Sequence, residues 1–194
     1  MKLLYTKRSP FARKVRVIAL EKNIPLDLVD EDLQKKSQRL LEANPLGKVP
    51  TLVLDNGETI FDSVVICQYL DQLDDKNILI PHSFPQRIEV LKWEAFADDL
   101  TVSAINLYME KMRHPNDFHQ DFIATLEKNI LAAYVHTAKN LSQLNKFDLS
   151  SIAVASAIGY IHFRLPHLKV QGALLQWFDS ISKRPSMVQT VPEV

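Results

Sequence analysis

The chain has 194 residues, of which 46% are hydrophobic and 24% charged; this is typical of a globular protein, and the length fits two small domains. Its 23 lysines and arginines balance its 23 aspartates and glutamates, so no long-range field favours nucleic acid or an anionic membrane as partner. The single cysteine, Cys67, excludes an intramolecular disulfide and a two-cysteine redox motif.

The N-terminal segment begins with a short apolar run, Lys2 to Tyr5, that predicts a strand. This run is too short for a secretory signal or a membrane span, so we expect the protein to be cytoplasmic. Ser9-Pro10 then predicts a helix, with serine as N-cap and proline at the first helical position. One stripe at helical spacing is expected to face the core: Phe11, Val15, Ile18 and Lys22, with Ala12 and Ala19 beside it.

Pro25 ends this helix, and Leu26 to Val29 predicts a second strand. A right-handed crossover between the two strands makes them parallel. Lys35 to Ala43 is weakly helical and ends in the turn cluster Asn44-Pro45-Leu46-Gly47.

A hairpin follows, because Asn56-Gly57 separates two short β-prone runs at 51–54 and 59–61. Asp62 or Ser63 then caps a helix that is predicted to run to Leu73. Its buried stripe is predicted to contain Val65, Tyr69 or Leu70, and Leu73, with Cys67 as a small structural hydrophobe. The order βαβαββα predicts a mixed four-stranded sheet covered by helices, and we assign it to residues 1–76.

From residue 84 onwards the pattern is helical, which predicts a second, all-α domain over 84–194. Helices are predicted at 85–112, 117–144, 149–164 and 172–183. Asp148 is the predicted N-cap of the third of these, and Phe147 and Ile152 are placed as a hydrophobic staple. This helix is apolar almost all round, as expected for the centre of a bundle.

Ser9 is the first candidate functional residue, because the N-terminus of a helix favours an anion such as a thiolate. A hydroxyl beside those N–H groups lowers the pKa of a bound thiol and so supplies a nucleophile near pH 7. The alternative that sequence leaves open is that Ser9 only caps its helix.

Two further segments also allow either a structural or a ligand-binding role. Val49-Pro50 opens a strand, and a cis bond there leaves the Val49 backbone free for a peptide-like ligand, whereas a trans proline has no such consequence. Asp62 and Ser63 place a carboxylate and a hydroxyl at another helix N-terminus, where they either cap the helix or hold an ammonium or carboxylate group. The six histidines are scattered without a zinc-like spacing, so no metal site is predicted.

Taken in order, three segments together resemble the glutathione S-transferases, and most closely the small bacterial members with serine at the catalytic position. The segments are Ser9-Pro10-Phe11-Ala12-Arg13-Lys14-Val15-Arg16, then Asn44-Pro45-Leu46-Gly47-Lys48-Val49-Pro50-Thr51-Leu52, then Phe61-Asp62-Ser63. The resemblance implies an α/β thioredoxin-like N-terminal domain, an all-α helical C-terminal domain and a homodimer. It also implies glutathione as co-substrate, without a metal, in an activity associated with detoxification.

The resemblance assigns roles residue by residue. Ser9 matches the catalytic hydroxyl that hydrogen-bonds the glutathione sulfur, and Val49 matches the residue before the structural cis-proline, Pro50, whose backbone pairs with the cysteinyl part. Asp62 and Ser63 match the pair that holds the γ-glutamyl end. Lys48 or Arg13 adds a carboxylate contact.

The chain departs from the family pattern in two places. Where the family has Ser or Thr with Asp three residues on, this chain has Asp148 and Ser151, so the aspartate that reaches back is lost. No cysteine lies near the first helix, which disfavours disulfide exchange through the protein, and Tyr5 is the fallback hydroxyl donor.

The second substrate is expected to be a small apolar electrophile, bound between the domains against the first long C-terminal helix. Its pocket is predicted to be lined by Phe11, Phe96, Leu100, Ser103, Asn106, Leu107 and Met109, although sequence favours core or dimer contacts for most of them. A non-catalytic binding or regulatory protein and a glutathione-dependent peroxidase or reductase are the alternatives to a transferase.

Overall fold

The computed structural model describes residues 1–193, so the last residue of the predicted second domain, Val194, lies outside the described residues. The N-terminal part is built around one four-stranded sheet. Its elements are β1 (Lys2–Tyr5), α1 (Pro10–Glu21), β2 (Asp27–Asp30), α2 (Gln38–Ala43), β3 (Thr51–Val53), β4 (Thr59–Ile60) and α3 (Ser63–Asp71).

The strand order across the sheet is β2-β1-β3-β4. β1 pairs with β2 in parallel, and β3 pairs with both β1 and β4 in antiparallel fashion. The predicted thioredoxin-like fold with a mixed four-stranded sheet is therefore confirmed.

The C-terminal part is helical throughout its described length. It consists of α4 (Phe84–Arg113), α5 (Gln120–Lys139), α6 (Leu149–Arg164), α7 (Gly172–Ser182) and α8 (Pro185–Val188), with 3₁₀ turns at Leu141–Leu144 and Pro166–Leu168. No helix within residues 1–193 is long and apolar enough to cross a membrane. The exact division into domains at 76 and 84 stays a prediction.

α6 occupies the centre of the helical part, and every residue from Leu149 to Ile161 is buried. It begins at a capping box in which the Asp148 carboxylate accepts the backbone N–H of Ser151, and the Ser151 hydroxyl accepts the backbone N–H of Asp148 at 3.1 Å. The returning contact is therefore kept although the family's aspartate is absent, because the Ser151 hydroxyl accepts the bond instead.

The buried stripe predicted for α3 is also wrong in part. Val65 and Leu73 are 49% and 45% exposed, whereas Ile66, Cys67 and Leu70 are fully buried. α3 has apolar residues on both sides, so its periodicity does not distinguish the side that packs on the sheet.

α1 joins the two parts of the molecule, because one side packs on the sheet and α3 while the other packs on α6. Lys14 on α1 is buried, and its ammonium binds Glu94 at 2.7 Å and both carboxylate oxygens of Asp98 on α4. These groups form the interhelix charge cluster, which we define as Lys14, Glu94 and Asp98. Burial raises the pKa of both carboxyl groups despite the neighbouring ammonium.

Candidate functional site

The strand register brings three of the predicted segments to one edge of the sheet. Leu4, near the carboxyl end of β1, pairs with Thr51 at the start of β3, and Leu52 pairs with Ile60 at the end of β4. The residues that follow β1, precede β3 and follow β4 therefore lie at the same edge. These are Ser9, Val49-Pro50 and Asp62-Ser63, and we call this the ligand edge.

Ser9 is the N-cap of α1 and is half-buried. Its Oγ accepts the backbone N–H of Ala12 at 3.1 Å, and its own N–H donates to the carbonyl of Thr6 at 3.0 Å. Because the hydroxyl accepts in the cap, its proton is left to donate to a ligand atom. Ser9 can therefore cap its helix and bind a ligand at the same time, so both interpretations of the sequence hold together.

Val49-Pro50 is a cis peptide bond. Neither the N–H nor the carbonyl of Val49 has a hydrogen-bond partner within residues 1–193. The carbonyl of Lys48, one residue earlier, accepts bonds from the Asn44 amide and the Thr51 hydroxyl. The loop is thus fixed from inside while the Val49 backbone stays available for an extended ligand.

The Asp62-Ser63 pair begins α3 at the other end of the ligand edge. The Asp62 carboxylate is exposed and accepts the backbone N–H of Val64 at 3.1 Å through Oδ1. Its second oxygen is left to accept a bond from a ligand cation. Ser63 is buried, with a hydroxyl that makes no hydrogen bond to the part of the chain described.

Lys48 is exposed and has no carboxylate partner in the described structure. Lys36 is a second cation near it that sequence reasoning missed, because the Lys36 ammonium donates to the carbonyl of Leu46 at 3.2 Å. The weakly helical pattern at 35–43 gave no signal that Lys36 faces the loop leading to Val49.

The prediction that Arg13 contacts a ligand carboxylate is wrong. It is only 3% exposed, and its guanidinium donates to the carbonyl of Met187 at 3.1 Å while lying against Gly159 of α6. Burial lowers the pKa of Arg13 to about 10. The fallback donor Tyr5 is also buried, with Arg16 over its ring at 5.0 Å, whereas Ser9 is partly exposed.

The predicted second-substrate pocket is corrected in two positions. Leu100 and Leu107 are buried in the core of the helical part, because both lie on the side of α4 that packs on α5 and α6. Phe96 packs edge-on against Trp93 at 5.4 Å between ring centroids. Phe96 and the remaining candidates keep some exposure: Phe11, Ser103, Asn106 and Met109.

A cavity of about 330 Å³ lies beside the ligand edge and was not predicted. It is lined by Thr6, Lys7, Arg8, Asp30, Glu31, Asp32 and Glu193. Lys7 donates to the Glu193 carboxylate at 2.7 Å, and this bond raises the pKa of Lys7. The available signal was the pair of cations immediately before Ser9, whereas nothing in the sequence connected Glu193 with them.

The charge of the cavity is less negative than its lining implies. Glu31 is neutralised by Arg39, which lies 2.8 Å away, and accepts the Ser37 hydroxyl.

No cluster of three or more metal-ligating side chains occurs within residues 1–193.

Comparison with known proteins identifies one matching family model and three similar proteins. A family model described as the N-terminal domain of glutathione S-transferase matches residues 3–77. The crystal structure of a glutathione S-transferase from Methylobacillus flagellatus KT with glutathione bound is 34% identical, covers 99% of both chains and has a TM-score of 0.92.

A glutathione transferase family member from Pseudomonas fluorescens Pf-5 is 33% identical, covers 100% of this chain and 99% of its own, and has a TM-score of 0.90. Its crystal structures contain glutathione or S-(propanoic acid)-glutathione. The uncharacterized GST-like protein YibF of Escherichia coli K12 is 28% identical and spans 99% of this chain and 98% of its own length.

Proposed function

Since the chain belongs to the glutathione S-transferase family, we propose that it is a glutathione transferase with Ser9 as its catalytic residue. The observation that carries this proposal is the ligand edge. The register of β1, β3 and β4 brings together the partly exposed Ser9 hydroxyl at a helix N-terminus, the unpaired Val49 backbone and the exposed Asp62 carboxylate. Relatives of similar length bind glutathione in their crystal structures, which supports glutathione as the co-substrate here.

Each part of glutathione has a matching group at this edge. The Val49 N–H and carbonyl would pair with the cysteinyl unit, and Asp62 with Ser63 would hold the ammonium and carboxylate of the γ-glutamyl unit. Lys48 and Lys36 are the cations available for the terminal carboxylate.

The chemical step needs a thiolate, and a free thiol has a pKa of about 8.5. The Ser9 hydroxyl and the positive end of α1 stabilise the anion, so the thiol gives its proton to solvent at neutral pH. The sulfur lone pair then forms a bond to an electrophilic carbon. In the case of an aryl chloride, chloride departs with the electrons of the broken bond.

The expected apolar character of the electrophile has lost two supporting residues, because Leu100 and Leu107 lie in the core. The proposal therefore covers small electrophiles without specifying an apolar one.

Retention on immobilised glutathione and conjugation of 1-chloro-2,4-dinitrobenzene test the proposed function. We expect Ser9→Ala to lower kcat/KM roughly 10- to 100-fold, because one donor to the developing anion is lost. Ser83→Ala is the matched control, since Ser83 heads α4 without a side-chain cap bond and should leave kcat/KM unchanged. Unchanged conjugation by Ser9→Ala would move the role to Tyr5.

The two alternatives are outcomes of the same assays. Retention on glutathione without turnover would identify a non-catalytic binding protein. Turnover of hydroperoxides without conjugation would identify a peroxidase or reductase. A protein disulfide intermediate has no support in the latter case, because Cys67 is fully buried and burial raises its pKa.

We also propose a cytoplasmic homodimer. Support for the dimer comes from two exposed apolar residues, Val65 on α3 and Leu73 two residues beyond its end, and from Phe84 and Ile88 at the start of α4. Sedimentation equilibrium tests this proposal: we expect a dimer in the wild type and a monomer after Val65→Glu with Leu73→Glu.

A further inference from the structure

The cavity beside the ligand edge already contains a carboxylate. Glu193, near the carboxyl end of the chain, places its Oε2 2.7 Å from the Lys7 ammonium, two residues before Ser9. Both side chains are largely exposed, at 48% and 62%, so water and salt screen the ion pair and it opens readily. The Glu193 carboxylate thus shows how an anionic group binds the Lys7 ammonium in this cavity.

Arg8 is the second cation of this cavity, and it has no ion-pair partner within residues 1–193. At the end of β2, Asp30 and Asp32 use one carboxylate oxygen each to accept backbone N–H groups of their own turn. They repel an anion on the β2 side, which leaves the Lys7–Arg8 side as the place where an anion is stabilised.

Charge balance decides between an anionic and a neutral ligand. A ligand carboxylate that takes the place of Glu193 leaves the charge of the cavity unchanged, because one carboxylate replaces another beside Lys7. A neutral ligand in the same place would leave the Lys7 ammonium without its partner. Bidentate and charge-assisted bonds to a carboxylate are also the strongest that Arg8 offers.

We propose that Lys7 and Arg8 bind the carboxylate of the electrophilic substrate, and that Glu193 occupies this position until the substrate displaces it. This inference rests on the proposed transferase function and specifies its substrate class as small electrophiles that carry a carboxylate. Lys7 and Arg8 are specificity-determining residues, and Glu193 is a competing internal anion.

Two matched aryl chlorides test the substrate class. 4-Chloro-3-nitrobenzoate and 4-chloro-3-nitrobenzamide share the same leaving group: the glutathione sulfur forms a bond to the ring carbon, and chloride leaves with the electrons of the broken carbon–chlorine bond. They differ in the charge of the group that would meet Lys7 and Arg8. Steady-state kinetics therefore report recognition of charge separately from the chemical step.

We expect Lys7→Gln and Arg8→Gln each to raise the KM for the benzoate about 5- to 10-fold, with the KM for the benzamide within twofold of wild type. Glu193→Gln should lower the KM for the benzoate about two- to threefold, because the competing carboxylate is removed. Lys128→Gln is the matched control, since Lys128 is an exposed lysine of α5 and should alter neither KM.

Equal KM changes for benzoate and benzamide in the Lys7→Gln and Arg8→Gln variants would overturn the proposal, as would a benzoate KM that none of the three variants shifts. Failure of the proposed function has a different signature. In that case the wild type does not conjugate 1-chloro-2,4-dinitrobenzene with glutathione, whereas failure of this inference alone leaves that conjugation intact.

Discussion

Two pairs of cations near the beginning of α1 consist of the same residue types but differ in burial and in contacts. Lys7 and Arg8 precede the helix and are exposed at the cavity beside the ligand edge. Arg13 and Lys14, in the second turn, are 3% and 1% exposed and lie between the two parts of the molecule. The outer cations are open to a ligand, whereas the inner ones are used up by contacts within the protein.

The difference is one of desolvation. A buried ammonium is tolerated only with partners, and Lys14 has two carboxylates, Glu94 and Asp98, within hydrogen-bond distance. Exposed Lys7 is hydrated and can exchange one anion for another at little cost. Burial therefore separates structural cations from ligand-binding ones around the start of one helix.

Lys14→Met would break this comparison most severely. It leaves Glu94 and Asp98 in the interhelix charge cluster without a cation, and we expect the free energy of unfolding to fall by about 3–5 kcal/mol. Urea denaturation measures the loss. Lys92→Met, at an exposed position of α4, is the control and should change stability by less than about 0.5 kcal/mol.

The pH dependence of the same variant identifies the cause. Because burial holds the pKa of Glu94 and Asp98 above their ordinary values of about 4, the unfolded state loses its protons first and stability falls as pH rises from about 4. Without Lys14 this effect grows. The deficit of Lys14→Met should therefore shrink as the pH is lowered from 7 toward 4, and a constant deficit would point to lost packing instead.

Gly159→Ala tests the second inner cation. A Cβ at Gly159 would collide with the Arg13 guanidinium, which is held by its bond to the Met187 carbonyl. We expect a loss of about 1–3 kcal/mol in the free energy of unfolding, measured by thermal or urea denaturation. The loss should be smaller in an Arg13→Met background, since the methionine end can move aside.

Ser156→Ala on the same helix is the control. The Ser156 hydroxyl is buried and has no hydrogen-bond partner within residues 1–193, so its removal should cost less than about 0.5 kcal/mol. Equal losses for the two variants would contradict a specific role of the Gly159–Arg13 contact.

Local signals predicted most of the fold. Ser9-Pro10 located the start of α1, Asn56-Gly57 located the hairpin, and Asp148 located the start of α6. Each of these signals acts through a backbone bond formed within a few residues, so a single sequence contains it.

Contacts between distant segments could not be predicted in the same way. The partners of Arg13 include Met187, 174 positions away, and the partner of Lys7 is 186 positions away. Leu100 and Leu107 lie on a 30-residue helix whose pattern does not distinguish the core side from a pocket side. The ligand edge is an intermediate case. Its segments could be predicted from local motifs, but their proximity depends on the register of three strands.

Asp62→Asn sharpens the comparison at the exposed side with the smallest effect on the fold. Asparagine caps a helix about as well as aspartate, so the bond to the Val64 N–H is kept while the negative charge is lost. We expect affinity for glutathione, measured by isothermal titration calorimetry, to fall roughly 3- to 10-fold, about 0.5–1.5 kcal/mol for an exposed charge-assisted bond. Asp148→Asn, the same change at the N-cap of α6, should leave this affinity unchanged. An equal loss in both variants would show that the charge of Asp62 does not contact the ligand, and the Asp62 carboxylate would then be only a helix cap, like that of the partly buried Asp148.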